Sequence, residues 1–141
     1  MYLLDTNVVS EVRKAGTGRE NLNVVIWVRG IADELLYLSA ITLFELEVGA
    51  LQVARRDPRQ GQALRAWIDD GVRQAFRGRI LPAGEGVALR AAAFNVPNPK
   101  PMHDAFIGAT AAEHGLSIVT RNVRDFQGMG VQIINPWDPA A

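Results

Sequence analysis

Five short apolar runs, Tyr2–Leu4, Leu35–Ser39, Arg79–Leu81, Ser117–Val119 and Val131–Ile134, constrain this chain more than any other feature. Each is too brief for a buried helix and reads as a strand covered on both faces. Between them lie longer segments with helical spacing. Strands that alternate with helices form a parallel sheet with helices on both sides, so the expected architecture is a three-layer α/β/α fold.

The intervening segments support this reading. A helix is predicted from the turn residues Asp5, Thr6 and Asn7 through Val12. Asn21–Ile31 places Val24, Val25, Trp27, Val28 and Ile31 at helical intervals. Leu43 to Arg56 carries Leu43, Leu46 and Ala50 on one face, and Asp57-Pro58 breaks it, with proline allowed in a first helical turn. Gly61–Phe76 repeats the pattern with Leu64, Trp67, Ile68 and Val72. Glu85–Phe94 is the next helix, followed by a stiff loop with Pro97, Pro99 and Pro101. Met102–His114 is helical and stops at Gly115, a natural C-cap. No repeat or linker interrupts the chain, so residues 1–141 are expected to form a single domain.

Composition removes several classes of function. Hydrophobic residues make up 48% of the 141, enough for a real core. Fifteen basic residues balance fifteen acidic ones, which argues against coating nucleic acid by bulk charge but leaves room for a local basic rim. The absence of cysteine excludes disulfides, thiolate zinc sites and cysteine nucleophiles. No apolar run approaches the roughly 20 residues of a membrane helix. Met1–Asp5 lacks the pattern of a secretory leader, so the expected location is the cytoplasm.

Four carboxylates stand at the predicted strand-to-helix junctions: Asp5 after the first strand, Glu45 early in the third helix, Asp104 early in the Met102 helix, and Asp125 after the fourth strand. In an open parallel sheet, ligands bind beyond the carboxyl ends of the strands, and these acids lie along that edge. Each also has a structural explanation. Asp5 can cap a helix. Thr42 and Glu45 match a capping box. Asp104 suits the positive end of a helix, and Asp125 an Asx-type turn. Gathered together they would repel. Two unit charges about 5 Å apart oppose each other by roughly 3 kcal/mol at an effective dielectric near 20. A hard divalent cation offsets that cost and prefers oxygen ligands. Magnesium or manganese suits the set better than zinc, since the chain has only two histidines. The chemistry expected from such a centre is phosphodiester hydrolysis.

The motifs also resemble a known family. Leu3-Leu4-Asp5-Thr6-Asn7-Val8-Val9-Ser10-Glu11, Leu38 through Leu46, His103 through Ala111, Val119-Thr120-Arg121-Asn122-Val123-Arg124-Asp125-Phe126 and Asn135-Pro136-Trp137 together resemble a PIN-domain ribonuclease of the VapC toxin type, near the FitB-like branch. The resemblance runs from the first residues to nearly the last. It implies a PIN-like fold with a central five-stranded parallel sheet and a magnesium- or manganese-dependent endoribonuclease. It also implies the toxin role in a type II toxin-antitoxin system, with a VapB- or FitA-like antitoxin as partner, DNA contact only through that antitoxin, and a homodimer. Asp5, Glu45 and Asp104 match the family's three most constant acids. Its fourth acidic position falls on Asn122, while Asp125 matches the Thr-x-Asn-x-x-Asp-Phe variant. Gly84 stands where an aspartate is common. The metal set is thus expected to be Asp5, Glu45, Asp104 and Asp125, supported by Thr6, Thr120 and Asn122. Hydrolysis by water would leave a 3′-hydroxyl and a 5′-phosphate.

Basic residues near this edge are candidates for holding RNA phosphates, foremost Lys100, Arg121 and Arg124. His103 is expected in a solvated loop and His114 at a helix C-terminus. Trp27, Trp67 and Trp137 are expected in the core or an interface; the helices around Trp27 and Trp67 are locally rich enough in apolar residues to suggest dimerisation. Two other functions compete. An aspartyl-phosphate phosphatase would also place an aspartate after the first strand, but needs a second one where Asn7 stands. A PIN module without activity, serving as an antitoxin-binding assembly or co-repressor subunit, would accommodate Asn122 and Gly84.

Overall fold

The structure is a computed structural model that describes residues 1–139. The chain runs through β1 (Tyr2–Leu4), α1 (Thr6–Arg13), α2 (Leu22–Arg29), a 3-10 turn (Asp33–Leu35), β2 (Leu36–Ser39), α3 (Ala40–Arg56), α4 (Pro58–Ala66), a π-helical segment (Trp67–Val72), α5 (Arg73–Ala75), β3 (Ile80–Leu81), α6 (Glu85–Phe94), α7 (Met102–His114), β4 (Ser117–Val119), α8 (Val123–Phe126) and β5 (Ile133–Ile134). The strands form one five-stranded sheet in the order β3-β2-β1-β4-β5. Every neighbouring pair is parallel, with Leu3 opposite Tyr37 on one side and Ile118 on the other.

Alternation along the strands divides the core between two faces. Leu4, Leu36, Leu38 and Val119 point to one face, where they meet Val8, Val9, Val24, Leu46, Ile68 and Val72. Leu3 and Ile118 point to the other, against Ile107, Ala111, Leu116, Phe126 and Met129. A further apolar group, Val87, Ala91, Ala105 and Ala109, joins α6 to α7. Gly108 lies so close to Met129 that a Cβ there would sit 2.2 Å from its sulfur, which explains a glycine inside α7.

Several boundaries differ from the sequence expectation. α3 begins at Ala40 rather than Leu43, because Ser39 caps it by accepting from the Ile41 amide at 3.0 Å. Thr42 therefore lies inside the helix, and the capping-box reading of Thr42 and Glu45 does not hold. The expected Gly61–Phe76 helix starts earlier, at Pro58, with Asp57 accepting from the Gln60 amide at 3.2 Å, and it passes through the π-helical segment. β5 is confined to Ile133–Ile134, after a turn in which Gly130 adopts φ 72°. Trp27 packs edge-on against Tyr2 at 5.1 Å, and Arg13 lies over Trp67 at 5.4 Å. Both tryptophans are partly buried against the core, in keeping with the expectation of a core or interface position. The exposed apolar residues of α2 are Leu22 and Ile26.

Candidate active site

The sheet changes direction beside β1: the chain proceeds outward through β2 and β3, then returns to β4 on the other side. The crevice at the ends of β1 and β4 is the switch point where open α/β sheets bind ligands. Asp5 follows β1 and Thr120 follows β4. The Asp5 amide donates to Val119 O at 2.9 Å and the Thr120 amide to Ile134 O at 2.9 Å, so the sheet ladder itself carries both residues to this edge.

Asp5 is buried, only 5% exposed as a residue. Its Oδ1 accepts from the Thr6 amide at 2.8 Å, the capping bond expected from the sequence. Its Oδ2 accepts from Thr120 Oγ1 at 2.8 Å and Asn7 Nδ2 at 3.3 Å. Capping and site-building are thus done by one residue. Thr120 Oγ1 also accepts from the Asn122 amide at 3.0 Å, while Asn7 Oδ1 accepts from the Arg121 amide at 3.3 Å. Asn7 consequently ties the start of α1 to the loop after β4.

Glu45 arrives from α3. Thr6 Oγ1 donates to Glu45 Oε1 at 3.1 Å and stands 3.3 Å from Thr42 Oγ1. The other carboxylate oxygen lies 3.8 Å from His103 Nδ1. His103 is therefore on α7 beside the site, not in a solvated loop; the sequence offered only its adjacency to Asp104. Phe44 packs edge-to-face with the same imidazole, ring centroids 5.6 Å apart. Asp104 lies in the first turn of α7, half-buried, and Asp125 in the first turn of α8, also half-buried.

The charges interact across these elements. Burial raises the Asp5 pKa above its ordinary value, against hydrogen bonds from Thr120 and Thr6, and the Asp125 charge raises it further. Burial likewise raises Glu45, opposed by the Thr6 hydroxyl and reinforced by Asp5, with His103 acting to lower it. Asp104 is pushed up to about 6, first by burial and then by the charges of Asp125, Asp5 and Glu45. Four carboxylates from four separate elements thus share one electrostatic field. Such mutually opposed anions, all with oxygen donors, fit a hard divalent cation. Among the described residues, no three His, Asp or Glu side chains are drawn together tightly enough to make a finished ion cage.

The other expected residues divide. Asn122 is exposed and contributes its backbone, donating to Thr120 and accepting from the Asp125 amide at 3.1 Å. Arg121 is exposed, with its guanidinium 5.4 Å from the centre of the Trp137 ring, and Trp137 is held by Asn23 Nδ2 donating to its carbonyl at 2.9 Å. Arg124 is exposed; Lys100 is half-buried, with Nζ 3.5 Å from Gln127 O. Gly84 follows β3, the edge strand, separated from β1 by β2. A cavity of about 370 Å³ lined by Leu4, Val9, Trp67, Val72 and Phe76 includes none of the four carboxylates.

Residues 2–130 match the PIN domain family. The chain is 37% identical to VapC ribonuclease Y4jK of Sinorhizobium fredii, covering 99% of this chain and all of that one (100%). It is 34% identical to Toxin FitB of Neisseria gonorrhoeae, covering 97% and 99%. Among solved structures, it is similar to that of FitAB bound to an IR36 DNA fragment, with 32% identity, a TM-score of 0.88 and coverage of 100% of this chain and 99% of that chain.

Proposed function

The chain belongs to the PIN domain family, and on that footing we propose that it is a divalent-metal-dependent endoribonuclease, the toxin of a type II toxin-antitoxin pair. The observation that carries this reading is the convergence of acids from separate elements at one edge: Thr6 at the start of α1 bonds Glu45 of α3, and Asp5, Glu45 and Asp104 are raised first by burial and then by neighbouring carboxylate charges, that of Asp125 included. Acids placed only as caps on separate helices would not raise one another's proton affinity.

Asp5, Glu45, Asp104 and Asp125 would hold magnesium or manganese, which when bound supplies charge stabilisation at the phosphoryl group and acidifies water. The chain's own residues do the rest. Thr120, Asn7 and the Thr6 amide fix the Asp5 carboxylate from three directions. Thr6 fixes Glu45 and so couples the start of α1 to α3. Asn122 supports the site through its backbone rather than as a ligand. Arg121, backed by Trp137, and the neighbouring Lys100 and Arg124 would hold RNA phosphates around the acidic centre. Hydrolysis by water gives a 3′-hydroxyl and a 5′-phosphate.

An antitoxin of VapB or FitA type is the proposed partner, with DNA reached through it; the likeness to FitAB bound to DNA supports this. A homodimer acting in the cytoplasm completes the reading. Among the described residues no helix is long and apolar enough to cross a membrane.

The test is RNA cleavage with added magnesium or manganese, with EDTA and with Asp5→Asn. Cleavage that requires the metal and disappears in the variant supports the reading. Equal cleavage by parent and variant would indicate a contaminating nuclease. No cleavage by the parent would leave the PIN module without activity as the better description.

A further inference from the structure

We propose that Phe44 is the platform on which a base of the RNA substrate stacks, holding a nucleotide beside the carboxylate cluster; this rests on the ribonuclease reading above. Among the described residues, the exposed large apolar side chains are Met1, Leu22, Ile26, Leu35, Phe44, Leu51, Leu89, Val96 and Met102, and Phe44 alone of these is aromatic. The residue is 53% exposed although it immediately precedes Glu45 on α3. An isolated exposed apolar residue is ordinary. The position of this one is not: its ring leans on His103 at 5.6 Å with the planes 77° apart, and His103 Nδ1 is 3.8 Å from Glu45 Oε2. The imidazole therefore contacts the phenyl ring at the rim of the acidic site while the residue as a whole stays exposed.

Charge explains why such a platform is useful. The chain has no net charge, so bulk attraction does not concentrate RNA on it. The carboxylates themselves repel phosphates. A base-on-ring contact avoids both problems, because its attraction does not depend on the sign of charge and every base has a π-face. It also favours single-stranded RNA, whose bases can be splayed out onto an aromatic side chain.

The experiment compares the full-length parent with Phe44→Ala, Phe44→Trp and Leu51→Ala, the last an exposed apolar control on the same helix. Binding of a fluorescein-labelled, mixed-sequence single-stranded RNA is followed by anisotropy in EDTA. Cleavage of the same RNA is followed in manganese. Phe44→Ala should weaken binding and raise KM by about tenfold, the scale of one lost base stack, with little change in kcat. Phe44→Trp should restore both, and Leu51→Ala should leave both unchanged. The Phe44→Ala effect should persist when salt is raised, because it is not ionic. Equal RNA affinity in parent and Phe44→Ala would overturn the proposal. So would an equal loss in Phe44→Trp, or a loss accompanied by a changed sedimentation coefficient, which would make Phe44 a protein interface. Cleavage by the parent reports separately on the ribonuclease reading, since the binding arm contains no metal.

Discussion

Thr120 Oγ1 donates a 2.8 Å hydrogen bond to Asp5 Oδ2, a buried contact between residues 115 positions apart in the chain. It joins the ends of β1 and β4 on either side of the switch point. The bond restrains a carboxylate that burial would otherwise favour in its protonated form.

Thr120→Val should therefore destabilise the fold by about 1–3 kcal/mol, since it leaves a buried acceptor short of a partner and removes the acceptor of the Asn122 amide. Thr120→Ser should recover most of the loss. Urea unfolding with EDTA present measures both; a Val variant as stable as the parent would show that Asn7 and Thr6 suffice to hold Asp5.

Asp104→Asn should abolish metal-dependent cleavage while the Tm in EDTA stays equal to the parent's or rises. The substitution preserves shape but removes an anion opposed by Asp125, Asp5 and Glu45. Like charges at about 5 Å repel by roughly 3 kcal/mol at an effective dielectric near 20. Thermal melts and a cleavage assay on one preparation check it; a large drop in Tm would mean that Asp104 has a structural role of its own.

The stability of the EDTA-treated protein should fall as pH rises from about 4 to about 6. Asp104 has a folded pKa raised from 3.8 to about 6, so its favourable contribution is complete below the unfolded value and lost through the folded one. Asp5 and Glu45 are shifted in the same direction. Manganese takes the ionised form, so its stabilising effect should grow over the same interval. Melts across pH with and without manganese test the sign, and Asp104→Asn should flatten the metal-free slope.

Asp125→Ala should weaken manganese binding by about tenfold, or 1.4 kcal/mol, and reduce cleavage per folded molecule. Its charge acts on both Asp5 and Asp104, whereas the Asn122 side chain is exposed. Asn122→Asp should preserve or raise activity by adding an anion at the rim. A manganese titration of activity normalised to folded protein decides; unchanged turnover in Asp125→Ala would leave a three-carboxylate site.

Much of this arrangement was legible in the sequence. Local backbone chemistry produces it: short apolar strands, capping residues after them, and Gly115 turning left-handed at φ 67° to end α7. That is why Glu85–Phe94 and Met102–His114 agree with the expected bounds. The start of α3 was misread because two residues, Ser39 and Thr42, can each cap a helix, and only the strand preceding Ser39 selects between them.

The sequence by itself determined the alternation of strands and helices, and hence the parallel sheet, since periodicity and caps act over a few residues. It also placed Asp5, Asp104 and Asp125 beside helix starts, whereas Glu45 lies in the second turn of α3. Only the tertiary structure decided the rest. The strand order sets β1 against β4 and brings Thr120 to Asp5. Packing of α3 and α7 around the sheet edge delivers His103 to Glu45 and leaves Phe44 open. Burial and neighbouring charge then raise Asp5, Glu45 and Asp104. These effects depend on distances between residues far apart in the chain, and a local pattern carries no record of such distances.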